Sequence, residues 1–275
     1  MINKLKKTGD IYGFLWRKTS TRQAASPSLH FNKMQEVVPQ SIVRGKMGIE
    51  IGSGNGRDTC FMAKNNPAVR VISLDLSDGI YITRNITRDL KNIALLKASA
   101  LSLPLKNDIF DFAYSFGVLH HTPNPSMGLR EIARILKEGA PAYLYLYEDH
   151  AENFPKYLAI KLINFLRILT TRLHPKALFV FSFLLSPFTV VFFTYPAAIF
   201  RKFKFTRKLS DKMPFNFGTH LFSLTGDLYD RLGAPIEYRF SRQGVNKLFS
   251  ESGFSNISIT RLKESAGWIA WGYKN

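Results

Sequence analysis

Met47-Gly48-Ile49-Glu50-Ile51-Gly52-Ser53-Gly54-Asn55-Gly56 is the stretch that decides the fold. Five residues that read as a buried strand run straight into three glycines spaced two apart. A tight turn from strand to helix needs backbone angles that side chains resist, and glycine supplies them while letting a ligand approach the backbone. Residues 58–65 read as a helix, so the loop lies at the carboxyl end of a strand, where open α/β sheets bind ligands. The alternation then continues, with strands at 69–75, 93–97, 111–116 and 142–147 and helices at 77–89 and 127–137. This spacing predicts a mostly parallel sheet with helices on both faces. Upstream, 1–45 reads as irregular apart from a short helix near 33–38. The pattern breaks after Tyr147 and resumes at Ser241, a good helix N-cap, with a helix to Ser252 that Gly253 ends. Strands around 257–260 and 268–273 follow. The domain plan is an N-terminal aromatic and basic segment at 1–45, a core at 46–150 and 241–275, and an apolar, basic helical insertion at 151–240.

The loop is spaced G-x-G-x-G, unlike the G-x-G-x-x-G fingerprint of dinucleotide sites. Asp75 closes the second strand 19 residues beyond Gly56, where an acidic side chain accepts hydrogen bonds from two ribose hydroxyls. Taken alone, the glycines also suit a plain turn beside a surface aspartate.

Further motifs narrow the reading. Leu103-Pro104 precedes Phe110-Asp111, Ser115-Phe116-Gly117-Val118-Leu119-His120-His121 follows the fourth strand, and Arg134-Ile135-Leu136-Lys137-Glu138-Gly139 precedes the fifth. In this order they resemble the class I S-adenosylmethionine-dependent methyltransferase superfamily, in its small-molecule, type 11-like branch. The resemblance is strong over 46–147 and weaker over 241–275. It implies a Rossmann-like, seven-stranded sheet and S-adenosyl-L-methionine as cofactor. The cofactor-binding residues it implies are Glu50, Gly52, Ser53, Gly54, Asn55 and Gly56, then Asp75 and Leu76, Ser99 and Ala100, and Phe116 and Gly117. Two positions depart from the family: Ser99 stands where an aspartate usually accepts from the adenine amino group, and Ala140 replaces a glycine.

The implied chemistry is in-line displacement from a sulfonium, which needs alignment and dryness more than an acid–base relay. Proximity alone supplies about 7–11 kcal/mol in well-oriented systems. A hydroxyl or acidic carbon acceptor adds the need for a base, and histidine titrates in the right range. His121 is the first candidate, because the family usually has histidine there too, and His120 is the second. Both also suit a role in shaping the loop. Tyr229, in a stretch resembling an acceptor-site lid, is a third candidate, while His30, His174 and His220 have weaker contexts. Tyr12-Gly13-Phe14-Leu15-Trp16 fits either an aromatic cover over the cofactor or an anchor on the sheet edge.

Composition frames the partners. The net charge is +18, which favours anionic partners. Residues 151–212 hold 11 Lys/Arg against 2 Asp/Glu, and they are also the most apolar part of the chain. No charge occurs from 177 to 200. That run is long enough to cross a bilayer, but a single span would put the two halves of one core on opposite sides, so a re-entrant hairpin broken at Pro187 is the allowed form. Residues 157–170 are amphipathic, with Lys161, Asn164 and Arg167 on a polar face that suits a membrane interface. A buried cap over the acceptor or a homodimer contact explains the same pattern. The expected acceptor is a small or lipid-linked apolar molecule, with peripheral contact to an anionic membrane. Nucleic acid is disfavoured because no Asn/Asp-Pro-Pro-aromatic turn follows the fourth strand; an RNA methyltransferase and a non-catalytic membrane-associated binding protein are the rivals. Cys60, the single cysteine, makes neither an internal disulfide nor a cysteine-based metal site, and no metal is expected. With no secretory signal at its start, the chain is expected to be cytoplasmic or peripheral at the cytoplasmic membrane.

Overall fold

The computed structural model describes residues 2–19, 43, 46–215, 221–262 and 267–275. The helix expected near 33–38, His30 and His220 lie outside them. The chain forms two units, Met1–Glu148 with Ile236–Asn275, and Asp149–Pro235. The inserted unit thus ends five residues before the expected boundary at 240.

The first unit is a seven-stranded sheet of order β3-β2-β1-β4-β5-β7-β6. The strands are β1 (Met47–Ile51), β2 (Arg70–Asp75), β3 (Ile93–Lys97), β4 (Phe112–Phe116), β5 (Pro141–Tyr147), β6 (Phe254–Arg261) and β7 (Gly267–Lys274). The first five run parallel, and β7 inserts antiparallel between β5 and β6. The sheet is the expected Rossmann-like, mostly parallel one. The chain winds outward from β1 to β3 and then restarts beside β1 at β4, so a switch point opens between the carboxyl ends of β1 and β4.

Before β1 the structure corrects the sequence reading. Residues read as irregular form an 18-residue helix, α1 (Ile2–Thr19). Gly9 and Gly13 weaken its propensity. Thr8, Ile11 and Leu15 nevertheless fall on one face and are buried with Phe14, and tertiary packing holds it. The core helices are α2 (Arg57–Asn65), α3 (Gly79–Thr87), α4 (Pro125–Ile135) and, late in the chain, α10 (Arg242–Ser250). Helix α4 starts on Asn124, whose side chain accepts from Met127 N–H at 3.0 Å, and Pro125 occupies the first turn, where no N–H is needed. The Leu103-Pro104 and Arg134 motifs meet here: the Arg134 guanidinium donates to the carbonyls of Leu103 and Leu105 at 2.9 and 2.8 Å, and Leu103 N–H donates to Glu131 at 2.8 Å.

The second unit is helical: α5 (Phe154–Thr170), α6 (Pro175–Thr189), a π-turn at Val190–Thr194, α7 (Tyr195–Lys202), α8 (Arg207–Lys212) and α9 (Leu221–Gly233). No hairpin breaks at Pro187. Helices α6 and α7 join through the π-turn into one continuous helix, Pro175–Lys202. Pro187 lies inside it, and Pro196 follows the turn. A wider turn ahead of a proline relieves the clash of its ring with a preceding carbonyl.

Candidate functional site

The site begins at the loop after β1. Gly52, Gly54 and Gly56 all have positive φ, at 87°, 57° and 77°. A side chain at Gly52 would overlap Val118, its Cβ falling 2.1 Å from a Val118 methyl. The loop is tied to β2: Gly52 and Ser53 N–H both donate to the Leu74 carbonyl, at 2.7 and 2.9 Å.

Asp75 holds the other side. Gly54 N–H donates to its Oδ2 at 2.8 Å, and the Ser77 N–H and hydroxyl donate to its Oδ1, each at 2.7 Å. Burial raises the Asp75 pKa, and these hydrogen bonds oppose the rise. The carboxylate is therefore fixed in one orientation at the end of β2. Leu76 beside it is an exposed apolar side chain, suited to lie against a flat ring.

Glu50 supports the loop from within the fold. It is buried beneath the loop, where the hydroxyls of Thr59 and Ser73 donate to its Oε2. It ties α2 to the sheet and positions the loop from below. Desolvation pushes its pKa up to about 8, against the two hydrogen bonds. Asn55 works within the loop, its side-chain oxygen accepting from Arg57 N–H at 3.3 Å, and Ser53 Oγ accepts from Thr83 at 3.0 Å. Ser99 makes a local turn, its Oγ accepting from Leu101 N–H at 3.2 Å beside buried Ala100.

Across the switch point, Phe116 stacks on Tyr145 with ring centroids 4.3 Å apart. Gly117 has φ 77° and open space where a side chain would be. The chain then turns through a 3₁₀ segment, Leu119–His121. His121 Nδ1 lies 2.9 Å from the Ile236 carbonyl. Donation of Nδ1–H to that carbonyl selects the tautomer whose lone pair is on Nε2. Its ring is 5.3 Å from Tyr12 and 5.5 Å from Tyr147.

His120 is placed differently. It is fully buried, 4.0 Å from the Tyr147 ring. Neither ring nitrogen has a hydrogen-bond partner among the described residues. Burial, then His121 and Arg239, hold its pKa well below the usual histidine value. It stays neutral and packs the loop, so His121 alone of the pair keeps a geometry suited to a base.

Tyr229 is fully buried within the helical unit, its ring packed on Phe179 at 6.0 Å. His174 caps α6, its Nδ1 accepting from Lys176 N–H at 3.3 Å.

Sequence reasoning missed Tyr145, Tyr147 and Arg239. The Arg239 guanidinium lies 5.0 Å over the Tyr147 ring and is held by Glu237 at 2.7 Å and the Glu148 carbonyl at 3.0 Å. The available signal was the alternation Tyr143-x-Tyr145-x-Tyr147, which puts three tyrosines on one face of a strand. From α1, Trp16 packs on Gly54 and Tyr12 lies 6.1 Å from Trp16. The N-terminal aromatic segment thus covers the glycine loop and reaches His121.

Residues 49–144 match the family described as Methyltransferase domain. Over 107 residues the chain is 36% identical to tRNA (carboxymethyluridine(34)-5-O)-methyltransferase of Saccharomyces cerevisiae, covering 38% of this chain and 36% of that protein. Over 101 residues it is 30% identical to the chloroplastic 2-methyl-6-phytyl-1,4-hydroquinone methyltransferase of Spinacia oleracea, covering 37% and 29%. The chain thus spans well under half the length of these curated relatives. The crystal structure of a SAM-dependent methyltransferase from Aquifex aeolicus superposes with a TM-score of 0.53 at 11% identity, covering 94% of this chain and 95% of that one. The cofactor of such a domain is S-adenosylmethionine, and the residues fit it: a left-handed glycine loop, a fixed carboxylate at the end of β2 and an open backbone at Gly117.

Proposed function

We propose that the class I S-adenosylmethionine-dependent methyltransferase domain of this chain methylates an oxygen or carbon of a small, apolar or lipid-linked acceptor. The observation that carries the acceptor class is the aromatic wall beside Gly117, made by Phe116, Tyr145, Tyr147 and Tyr12 around His121.

When bound, the cofactor supplies a methyl group already activated on a sulfonium. The chain's part is to hold, align and dry. Asp75 would accept from the ribose hydroxyls, Leu76 and Ala100 would flank the adenine, and Ser99 would offer its hydroxyl toward the adenine edge. The backbone of Gly52–Gly54 and Gly117 would permit close approach where side chains would block it. Tyr12 and Trp16 would exclude water, which favours a reaction that neutralises charge. His121 Nε2 would take the proton of a hydroxyl or acidic-carbon acceptor while the Ile236 carbonyl keeps the ring in one tautomer. The phytyl hydroquinone named for the Spinacia oleracea relative is an acceptor of this apolar class.

An RNA acceptor is the second reading, favoured by the net charge of +18 and by the Saccharomyces cerevisiae relative. That match and the Spinacia oleracea one both cover little more than a third of the chain, so both argue for the donor rather than the acceptor.

Calorimetry with S-adenosylhomocysteine tests the donor. Binding is expected, and Asp75→Ala should weaken it about tenfold or more, since hydrogen bonds to a charged group are worth about 1.5–3 kcal/mol. No binding by the natural chain would sink the reading. Incubation with methyl-labelled donor and either a total lipid extract or total tRNA tests the acceptor. Label in the lipid phase supports the apolar acceptor, and label in the tRNA alone replaces it with the second reading.

A further inference from the structure

The helical unit buries several polar side chains while it exposes long rows of apolar ones. Helix α5 turns Arg167 and Thr170 inward, beside Ile160. Arg167 is buried and donates to the Ala234 carbonyl from Nε at 3.2 Å and Nη2 at 2.8 Å, and Thr170 donates to the Leu232 carbonyl at 2.7 Å. These carbonyls end α9, where a helix leaves its acceptors without intrahelical partners. Of the polar face read from the sequence, Arg167 packs while Lys161 and Asn164 stay exposed. The other face carries Leu158, Leu162, Phe165 and Leu169, at helical spacing and 56–66% exposed.

Helix α6 and the turn after it repeat the arrangement. Ser182, Ser186 and Thr189 are buried, and Ser186 Oγ pairs with Thr225 Oγ1 of α9 at 2.9 Å. Leu184, Phe188, Phe192 and Tyr195 are 60–65% exposed. In water this is the wrong way round, because apolar surface is what burial stabilises and large exposed apolar patches mark interaction sites. In a bilayer it is the right way round: helices meet through small and hydroxylated residues and turn apolar side chains to the lipid.

Charge identifies the lipid. Arg172 and Lys176 stand at the start of the long helix and Arg201, Lys202, Lys204 and Arg207 at its end, with no charged residue at 177–200 between them. Basic residues flanking an apolar surface fit anionic headgroups. Length decides the depth. The 28-residue helix rises about 42 Å and exceeds a bilayer core of about 30 Å. Among the described residues the return leg does not: α9 has 13 residues and rises about 20 Å, and α8 before it is charged. Both ends of the unit, at Asp149 and Pro235, continue into the sheet unit.

We propose that the helical unit seats in one leaflet of an anionic lipid bilayer through the exposed apolar faces of α5 and the α6–α7 helix. The seating deepens the proposed function, which supplies its purpose, namely access to an acceptor dissolved in lipid. It is measured without cofactor.

The full chain is mixed with phosphatidylcholine vesicles, with and without phosphatidylglycerol, and floated on a density gradient. It should float with the anionic vesicles, and less so with neutral ones or in high salt. Leu162→Glu with Phe165→Glu, on side chains already exposed, should weaken flotation about tenfold or more with unchanged affinity for S-adenosylhomocysteine. All three tryptophans, Trp16, Trp268 and Trp271, lie in the sheet unit, so Phe188→Trp adds a reporter whose emission should shift to the blue and be quenched by brominated acyl chains. Absence of flotation, or flotation untouched by the glutamates, would overturn the proposal. So would a concentration-dependent dimer that the glutamates dissolve while vesicles go unbound, which would make a second copy the occupant. Flotation without S-adenosylhomocysteine binding would support the seating and remove the methyltransferase reading alone.

Discussion

Replacing Glu50 by glutamine should change how stability depends on pH. Glu50 sits beneath the glycine loop with its carboxyl buried, and burial pushes its pKa from 4.5 to about 8. The folded state therefore keeps a proton that the unfolded chain releases above about pH 4.5. Between the two values the folded state binds more protons, so stability falls as pH rises. The contribution is fully present below the unfolded pKa and is lost as pH passes the folded one. Each pH unit in that window removes about 1.4 kcal/mol, so the step from pH 6 to pH 7 alone should be easy to resolve. Glutamine keeps an acceptor for Thr59 and Ser73 but has no proton to lose. Urea denaturation of the natural chain and Glu50→Gln, run at matched pH from 5 to 8.5, should give curves whose difference grows in the variant's favour as pH rises. Parallel curves across the window would refute the reasoning, because they would mean that Glu50 ionises at the same pH in both states.

Gly52→Ala should cost about 1–2 kcal/mol for a left-handed residue and about 1–3 kcal/mol more for the overlap with Val118. A loss near 3 kcal/mol by urea denaturation and failure to bind S-adenosylhomocysteine are expected, and an affinity equal to the natural chain's would contradict the cradle. His120→Leu removes a buried imidazole whose nitrogens lack partners among the described residues, a burden of about 1–3 kcal/mol. The variant should be about 1 kcal/mol more stable, and a less stable variant would mean that the ring is satisfied in the folded protein.

The legible parts of this molecule were those where local chemistry admits one answer. Three glycines after a buried strand left little freedom, and Gly52, Gly54 and Gly56 all adopt the left-handed backbone that the spacing demands. The alternation through β5 was equally local. Helix α1 was hidden because Gly9 and Gly13 interrupt it, and its buried face exists only once α3 and the glycine loop are there to pack on. Pro187 reads as a break in any one-dimensional view, yet the helix runs through it. Periodicity located the polar stripe of α5 but not that Arg167 within it turns inward, drawn by the Ala234 carbonyl at the end of α9. The aromatic wall was out of reach because Phe116, Tyr145 and Tyr12 come from three separate elements.

The π-turn at Val190–Thr194 has a consequence for phase. Leu178 and Ala197, both fully buried, are 19 residues apart on one continuous helix. At 3.6 residues per turn that separation leaves them about 100° out of alignment. A π-turn absorbs one residue, and the remaining 18 make five whole turns. The wide turn acts as a vernier, resetting rotation so that a single seam runs along the helix from Leu178 to Ala197. Any change in the length of this helix must then preserve angle before it preserves hydrophobicity: deleting one residue at 190–194 would swing every later side chain by about a quarter of a turn, exchanging the buried seam for the exposed face without altering the composition of either.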